Sequence, residues 1–105
     1  MNELTDLEIC QRIAEIEGRV ISGVGSLNVF VKCEPSLIGN EQYDPLTDDA
    51  LCFKLMVKYE VSLTYGEYAV NAEILIEKED GEHSFSTQAY CPRRAICLAI
   101  IKSKE

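Results

Sequence analysis

Two adjacent arginines stand where a helix is predicted to begin, a place that ordinarily favours negative charge. Pro92 suits the first position of this helix, and Arg93 and Arg94 follow it in the first turn. The N–H groups and the dipole at a helix start favour anions by roughly 0.3 to 1 kcal/mol. Two interpretations stay open: an ion pair with acids of this chain or of a second copy, or a bound phosphate or other acidic ligand group.

Carboxylates cluster around one tyrosine in the middle of the chain. The group comprises Glu41, Tyr43, Asp44, Asp48 and Asp49. Carboxylates around an exposed aromatic side chain can mimic a nucleic-acid strand for a basic protein and speed the encounter electrostatically. Such clusters also serve only to keep a surface soluble. The sequence therefore predicts either a binding surface for a basic protein or a solvated acidic face.

The charge balance and the hydropathy pattern exclude two classes of partner. The 105 residues carry a net charge of −8, and residues 1–50 hold ten acids against three bases. Because Lys and Arg contacts with phosphates dominate nucleic-acid affinity, direct binding to a nucleic-acid backbone is not expected. No apolar run approaches the roughly 20 residues that span a bilayer, and the amino terminus is acidic where a secretory signal is basic. We expect a cytoplasmic protein without membrane contact.

Residues that commonly carry catalysis or bind metals are sparse in this sequence. His83 is the single histidine, and Ser84 and Ser86 beside it cannot by spacing form a triad on one short strand. The five cysteines lack a Cys-x-x-Cys pair, a pattern typical of reduced, buried thiols rather than of a zinc site. We therefore predict no enzyme activity, no metal and no cofactor.

Helical periodicity and capping signals predict three helices. A capping box of Thr5 and Glu8 begins the first, over residues 6–17, and Gly18 ends it. Before the second, either Asp44 caps a turn or Thr47 caps the helix itself. The third, from Arg93 to about Lys102, is apolar nearly all round. It needs cover on more than one side, from a sheet and another helix or from a second subunit.

Alternating hydropathy predicts about four strands in one antiparallel sheet. They fall at residues 27–34, 61–65, 70–77 and 83–89. Residues 36–43 are predicted to form a surface loop, and Asp80-Gly81 a type I′ turn before a last strand at a sheet edge. The expectation is one α+β domain over residues 1–105, in the order αβαβββα. Helices on both faces of the sheet would make it an α-β-α layered sandwich.

Three stretches carry a resemblance to a known family. They are Leu4–Ile9, Tyr43–Asp49 leading into Leu55–Tyr59, and Pro92–Ala99. Together they resemble the phage ABA sandwich family of small phage and prophage proteins. Members often carry a tryptophan after the central motif, where this chain reads Asp48-Asp49. The resemblance implies a phage accessory protein with an α-β-α fold inside a bacterium, and it supplies no catalytic or ligand residues.

Three functional hypotheses follow, from different classes. The first is non-enzymatic binding that inhibits a bacterial host protein, such as a defence factor, through the acidic surface. The alternative is a protein that sequesters a nucleotide-like small molecule at Arg93 and Arg94. The third is a hydrolase whose site a single sequence does not reveal.

Overall fold

The protein folds as an α+β domain with three helices and two antiparallel sheets of three strands each. The computed structural model describes residues 4–26 and 28–104. The helices are α1 (Asp6–Ile16), α2 (Asp49–Lys58) and α3 (Pro92–Ser103). The strands are β1 (Ile21–Val24), β2 (Val29–Lys32), β3 (Asn40–Gln42), β4 (Ser62–Tyr65), β5 (Val70–Lys78) and β6 (Gly81–Ala89). The α+β class and the helix count are therefore confirmed.

The first sheet, β1-β2-β3, is where the sequence-based prediction fails most. Only β2 was expected, and Leu27, the predicted first residue of that strand, lies outside the described residues. β3 lies within the stretch predicted to be a loop. All three of its residues are exposed, so it has no alternating pattern to detect. β1 has four residues, includes Gly23 and has an irregular register between Ile21 and Gly23.

The second sheet, β4-β5-β6, follows the prediction closely and places β6 at an edge, as expected. Its buried face carries Val70, Ala72 and Ile74 on β5. The β5–β6 turn differs by one residue from the prediction. Lys78 pairs with Gly81, so Glu79 and Asp80 form the turn, and Gly81 opens β6 with a positive φ of 121°.

Helix α3 lies at the centre of the molecule, and its contacts explain its apolar sequence. One side packs on β5 and β6, and other sides pack on α1 and α2. This arrangement matches the alternative in which a sheet and another helix cover α3. The layering with helices on both faces of one sheet is not confirmed: the strands form two sheets, and Leu75, on the face of β5 opposite the core, is exposed.

The helix starts show which capping predictions hold. Thr5 and Glu8 form the predicted capping box of α1, and Gly18 adopts a positive φ of 71° just after the helix. Thr47 does not cap α2; it lies one residue before the N-cap, and its hydroxyl donates to Asp44 Oδ2 at 2.8 Å. Asp48 takes that position instead, and its carboxylate accepts from the Leu51 backbone N–H at 3.1 Å.

Candidate functional site

Both arginines at the start of α3 contact acids and carbonyls of the same chain. Arg93 donates to Asp49 Oδ1 and to the Leu46 carbonyl, each at 2.6 Å. Arg94 donates to Asp6 Oδ1, and to the Leu4 carbonyl at 2.7 Å. These bonds tie α3 to the segments that precede α1 and α2. The negative groups expected near the two cations are thus present within the fold.

Asp49 and Asp6 remain open to solvent although each is paired. Both carboxylates are 81% exposed, whereas Arg93 and Arg94 are partly covered. An exposed ion pair contributes little to stability, and hydrogen bonds to fixed backbone carbonyls add positional constraint. The two arginines therefore position the helix starts while their acidic partners stay accessible.

The acidic group predicted around Tyr43 is divided among three structural roles. Asp44 organises the turn before α2 by accepting from the Leu46 N–H at 3.1 Å and from the Thr47 hydroxyl. Asp48 is the N-cap of α2, and Asp49 pairs with Arg93. Asp48 and Asp49 are consecutive exposed residues at the start of α2.

Tyr43 is not the exposed aromatic residue that the sequence suggested. Its side chain is buried in the core at 2% exposure. Burial, followed by the charge of Glu17, raises the pKa of its hydroxyl. The hydrophobic environment thus outweighs the polar neighbours that the sequence places around it, and Tyr43 cannot form part of an outer binding surface in this conformation.

Glu41 belongs to a separate charged group around Arg19. Arg19 pairs with Glu41 at 2.7 Å and with Glu34 at 3.4 Å, and it donates to the Lys32 carbonyl at 3.0 Å. Its guanidinium also lies 5.5 Å from the centre of the Tyr43 ring. This arrangement holds the first sheet against the core, so Glu41 neutralises an arginine of its own fold.

The structure brings forward a surface that sequence reasoning missed, on the outer side of α2. Phe53 and Val57 are 61% and 58% exposed, one turn apart on the helix. Asp49 precedes them at the same four-residue spacing, so the three side chains share one face. We call Asp49, Phe53 and Val57 the outer stripe of α2. The sequence contained a signal for this surface. Cys52 and Leu55 lie on the helix face that packs on the core, and Phe53 falls outside that face.

A second group of exposed aromatic residues lies at one end of the second sheet. Tyr65 ends β4, Tyr68 follows in the loop to β5, and Tyr90 directly follows β6. Pairing of Tyr65 with Val70, and of Val70 with Ala89, brings the three positions to the same end. The acidic residue nearest to them in the sequence is Glu67, between Tyr65 and Tyr68.

His83 and Ser84 each have a local partner. His83 Nε2 lies 3.0 Å from Asp80 Oδ1, and the Ser84 hydroxyl donates to Glu73 at 3.3 Å, so these side chains are not in triad geometry. The five cysteines are free thiols, of which Cys10, Cys52 and Cys97 are buried. Burial, followed by the charge of Asp44, raises the pKa of Cys10 to about 12. A thiol with that pKa stays protonated near neutral pH and is a poor nucleophile.

Within residues 4–26 and 28–104, no group of three or more His, Cys, Asp or Glu side chains is arranged to hold a metal ion. In the same part of the chain, no helix has both the length and the apolar character needed to cross a bilayer.

Comparison with known proteins identifies no relative: no family model, curated protein or solved structure matches the chain.

Proposed function

We propose that this protein acts by non-enzymatic binding, and that it engages a basic protein through the start and outer stripe of α2. The observation that carries the proposal is the exposure of Phe53 and Val57 beside Asp48 and Asp49. An apolar centre rimmed by charge is typical of protein–protein contact surfaces. A partner with a basic rim and an apolar pocket would match both features.

Charge supports a basic rather than an acidic partner. The chain carries a net charge of −8, and Asp48 and Asp49 are exposed at the start of α2, whereas its two lysines, Lys54 and Lys58, lie toward its other end. Opposite charge on the partner would steer the encounter and raise the association rate at low salt. Contact with Phe53 would supply the apolar burial that holds the complex together after the encounter.

The cellular setting of this proposal comes from the resemblance to phage proteins. On the basis of that resemblance, we propose that the chain belongs to the phage ABA sandwich family and acts in the cytoplasm of a bacterial host. The basic partner would then be a host protein, such as a defence factor, that is inhibited by occupation of its surface. Binding would be stoichiometric, with no substrate converted.

The experiment is capture from bacterial lysate on the immobilised chain across a series of salt concentrations. We expect a basic protein that is released as salt rises. Phe53→Ser/Val57→Ser should reduce its recovery by about tenfold, since apolar residues at interface centres dominate affinity. Leu75→Ser is the matched control, because Leu75 is equally exposed but lies on β5.

A second pair of variants tests the charge component. Asp48→Asn/Asp49→Asn removes two negative charges while asparagine still caps the helix. Recovery should fall, whereas Glu77→Gln/Glu79→Gln, which removes two exposed charges elsewhere, should leave it unchanged. Equal recovery with all four variants, or recovery that does not depend on salt, would overturn the proposal.

The alternative, sequestration of a nucleotide-like anion at Arg93 and Arg94, needs a different arrangement from the one observed. Both guanidiniums already bind a carboxylate and a backbone carbonyl. An anionic ligand would have to displace Asp49 and Asp6. The geometry therefore favours the α2 surface.

A further inference from the structure

The outer edge of β6 is the longest regular strand edge in the described part of the chain. β6 has nine residues, pairs with β5 in continuous register and ends the order β4-β5-β6, so a strand lies on one side of it only. The other edge strands, β1, β3 and β4, have three or four residues. Proteins commonly protect long edges with Pro, Lys or a bulge. β6 itself contains none of these, and Lys102 of α3 contacts its edge at the Ser86 carbonyl.

The turn geometry determines which backbone groups of β6 face outward. A two-residue turn makes the flanking residues, Lys78 and Gly81, a hydrogen-bonded pair. Because such pairs alternate, odd-numbered residues of β6 bond to β5, and the N–H and C=O groups of the even-numbered residues point away. One contact agrees with this parity: the Ser86 carbonyl accepts from Lys102 Nζ at 3.2 Å, outside the sheet.

We infer that the outer edge of β6 pairs with the same edge of a second copy, which joins two three-stranded sheets into one antiparallel sheet of six. With the two-fold axis at Phe85, Ser84 faces Ser86 of the second copy and Glu82 faces its Gln88. All of these are even-numbered residues, so each N–H meets a C=O; the Ser86 carbonyl accepts from Lys102 with one of its two lone pairs and from the second copy with the other. The register is self-complementary, as a two-fold interface requires.

Charge and side-chain character favour a second copy as the occupant. A chain with a net charge of −8 repels its own copy over much of its surface, but β6 carries one formal charge, at Glu82, and the register opposes it to an amide. Phe85 is half-buried in the middle of an otherwise polar strand. The two-fold axis brings it opposite itself at a Cα separation of about 4.5 Å. Paired aromatic side chains of this kind stabilise antiparallel sheets.

The test is sedimentation equilibrium of the whole chain over a range of concentrations. Strand pairing of nine residues is a small interface, so association should depend on concentration. The wild type should shift from the 11.8 kDa monomer toward twice that mass. Amide exchange at Ser84 and Ser86 should slow over the same range, because their N–H groups face outward.

Two matched double variants determine whether this edge is responsible. Ser84→Lys/Ser86→Lys sets like charges opposite each other across the axis and should weaken association by about tenfold. Ser84→Lys/Ser86→Glu changes the same positions but sets opposite charges face to face, and should restore it. Thermal melting of each variant establishes that it folds.

Three outcomes would overturn the inference. They are a monomer at every concentration, a dimer that both double variants leave unchanged, and protection of Ser84 and Ser86 only when a different protein is added. The last result would assign the edge to a foreign strand. None of these outcomes bears on α2, so this test and that of the proposed function can fail separately.

Discussion

Helix α3 lies between the second sheet and two other helices, whereas α2 buries one face and leaves the opposite face in solvent. Both helices are rich in apolar residues. Six residues of α3 are buried, among them Ile96 and Ile100, but Phe53 and Val57 of α2 point outward. Apolar composition alone therefore does not separate a core helix from one with an unpartnered surface. The position of the helix in the fold separates the two cases.

The largest expected effect comes from truncating α3. Ile100→Ala should lower the free energy of unfolding by about 2–5 kcal/mol, because the side chain is fully buried and its loss leaves a cavity. Phe53→Ala on α2 should cost less than about 1 kcal/mol, as is usual for exposed positions. Urea denaturation of both variants checks the contrast. Equal losses would show that α2 is packed as α3 is.

An intermediate effect is expected at the start of α3. Arg93→Ala/Arg94→Ala should lower the free energy of unfolding by less than Ile100→Ala does, through lost hydrogen bonds to the Leu46 and Leu4 carbonyls. The exposed ion pairs add little. Adding a nucleoside diphosphate to the wild type should leave its melting temperature unchanged. A rise that the double variant abolishes would instead support the anion-binding alternative.

A pH-dependent effect is expected where α1 meets α2. Glu17 accepts from Lys58 Nζ at 2.8 Å and from the Tyr59 hydroxyl at 2.5 Å. Burial raises the pKa of Glu17, but these two hydrogen bonds outweigh it, so the pKa lies below its ordinary value of 4.5. The contribution to stability is therefore present above pH 4.5 and is lost as the pH falls through the lower, folded-state value.

The variant Glu17→Gln makes this dependence measurable. Near neutral pH it should be less stable than the wild type by about 1 kcal/mol, because the hydrogen bonds to a charged carboxylate are lost. The loss stays small because Lys58 is exposed to solvent. The difference should shrink as the pH is lowered below 4.5. Unfolding curves at several pH values would test this, and a difference that stays constant would contradict the role given to Glu17.

The smallest effect on stability is expected at the outer stripe of α2. Phe53→Ser/Val57→Ser should change the free energy of unfolding by less than about 1 kcal/mol, since neither side chain is in the core. Thermal melting gives the measurement. A large loss would mean that the stripe serves the fold rather than a partner.

Strong local signals made much of the fold predictable. Four signals that each depend on a few neighbouring residues agree with the structure. They are the capping box at Thr5, Gly18 at the end of α1, the alternation along β5 and β6, and Pro92 at the start of α3. In the first sheet β2 was predicted, whereas β3 was missed because all three of its residues are exposed, and β1 because it is short and contains Gly23. Periodicity detects a buried face, so such strands leave no pattern.

The candidate site was less predictable because it depends on long-range contacts. The sequence identified Arg93 as a cation in need of a negative group, but Asp49, its partner, lies 44 positions away. The acids around Tyr43 were grouped by sequence proximity, and the fold separates them. Burial of Tyr43 depends on how the first sheet packs on α1, which spacing along the chain does not encode.

Hydroxyl-radical footprinting of the complex captured from lysate tests the central claim most directly. Oxidation of Phe53 should slow in the complex relative to the free chain, while Tyr68 and Tyr90, which are 79% and 89% exposed, should react at unchanged rates. If Phe53 is oxidised equally fast in both states while a tyrosine becomes protected, the outer stripe of α2 is not the contact surface.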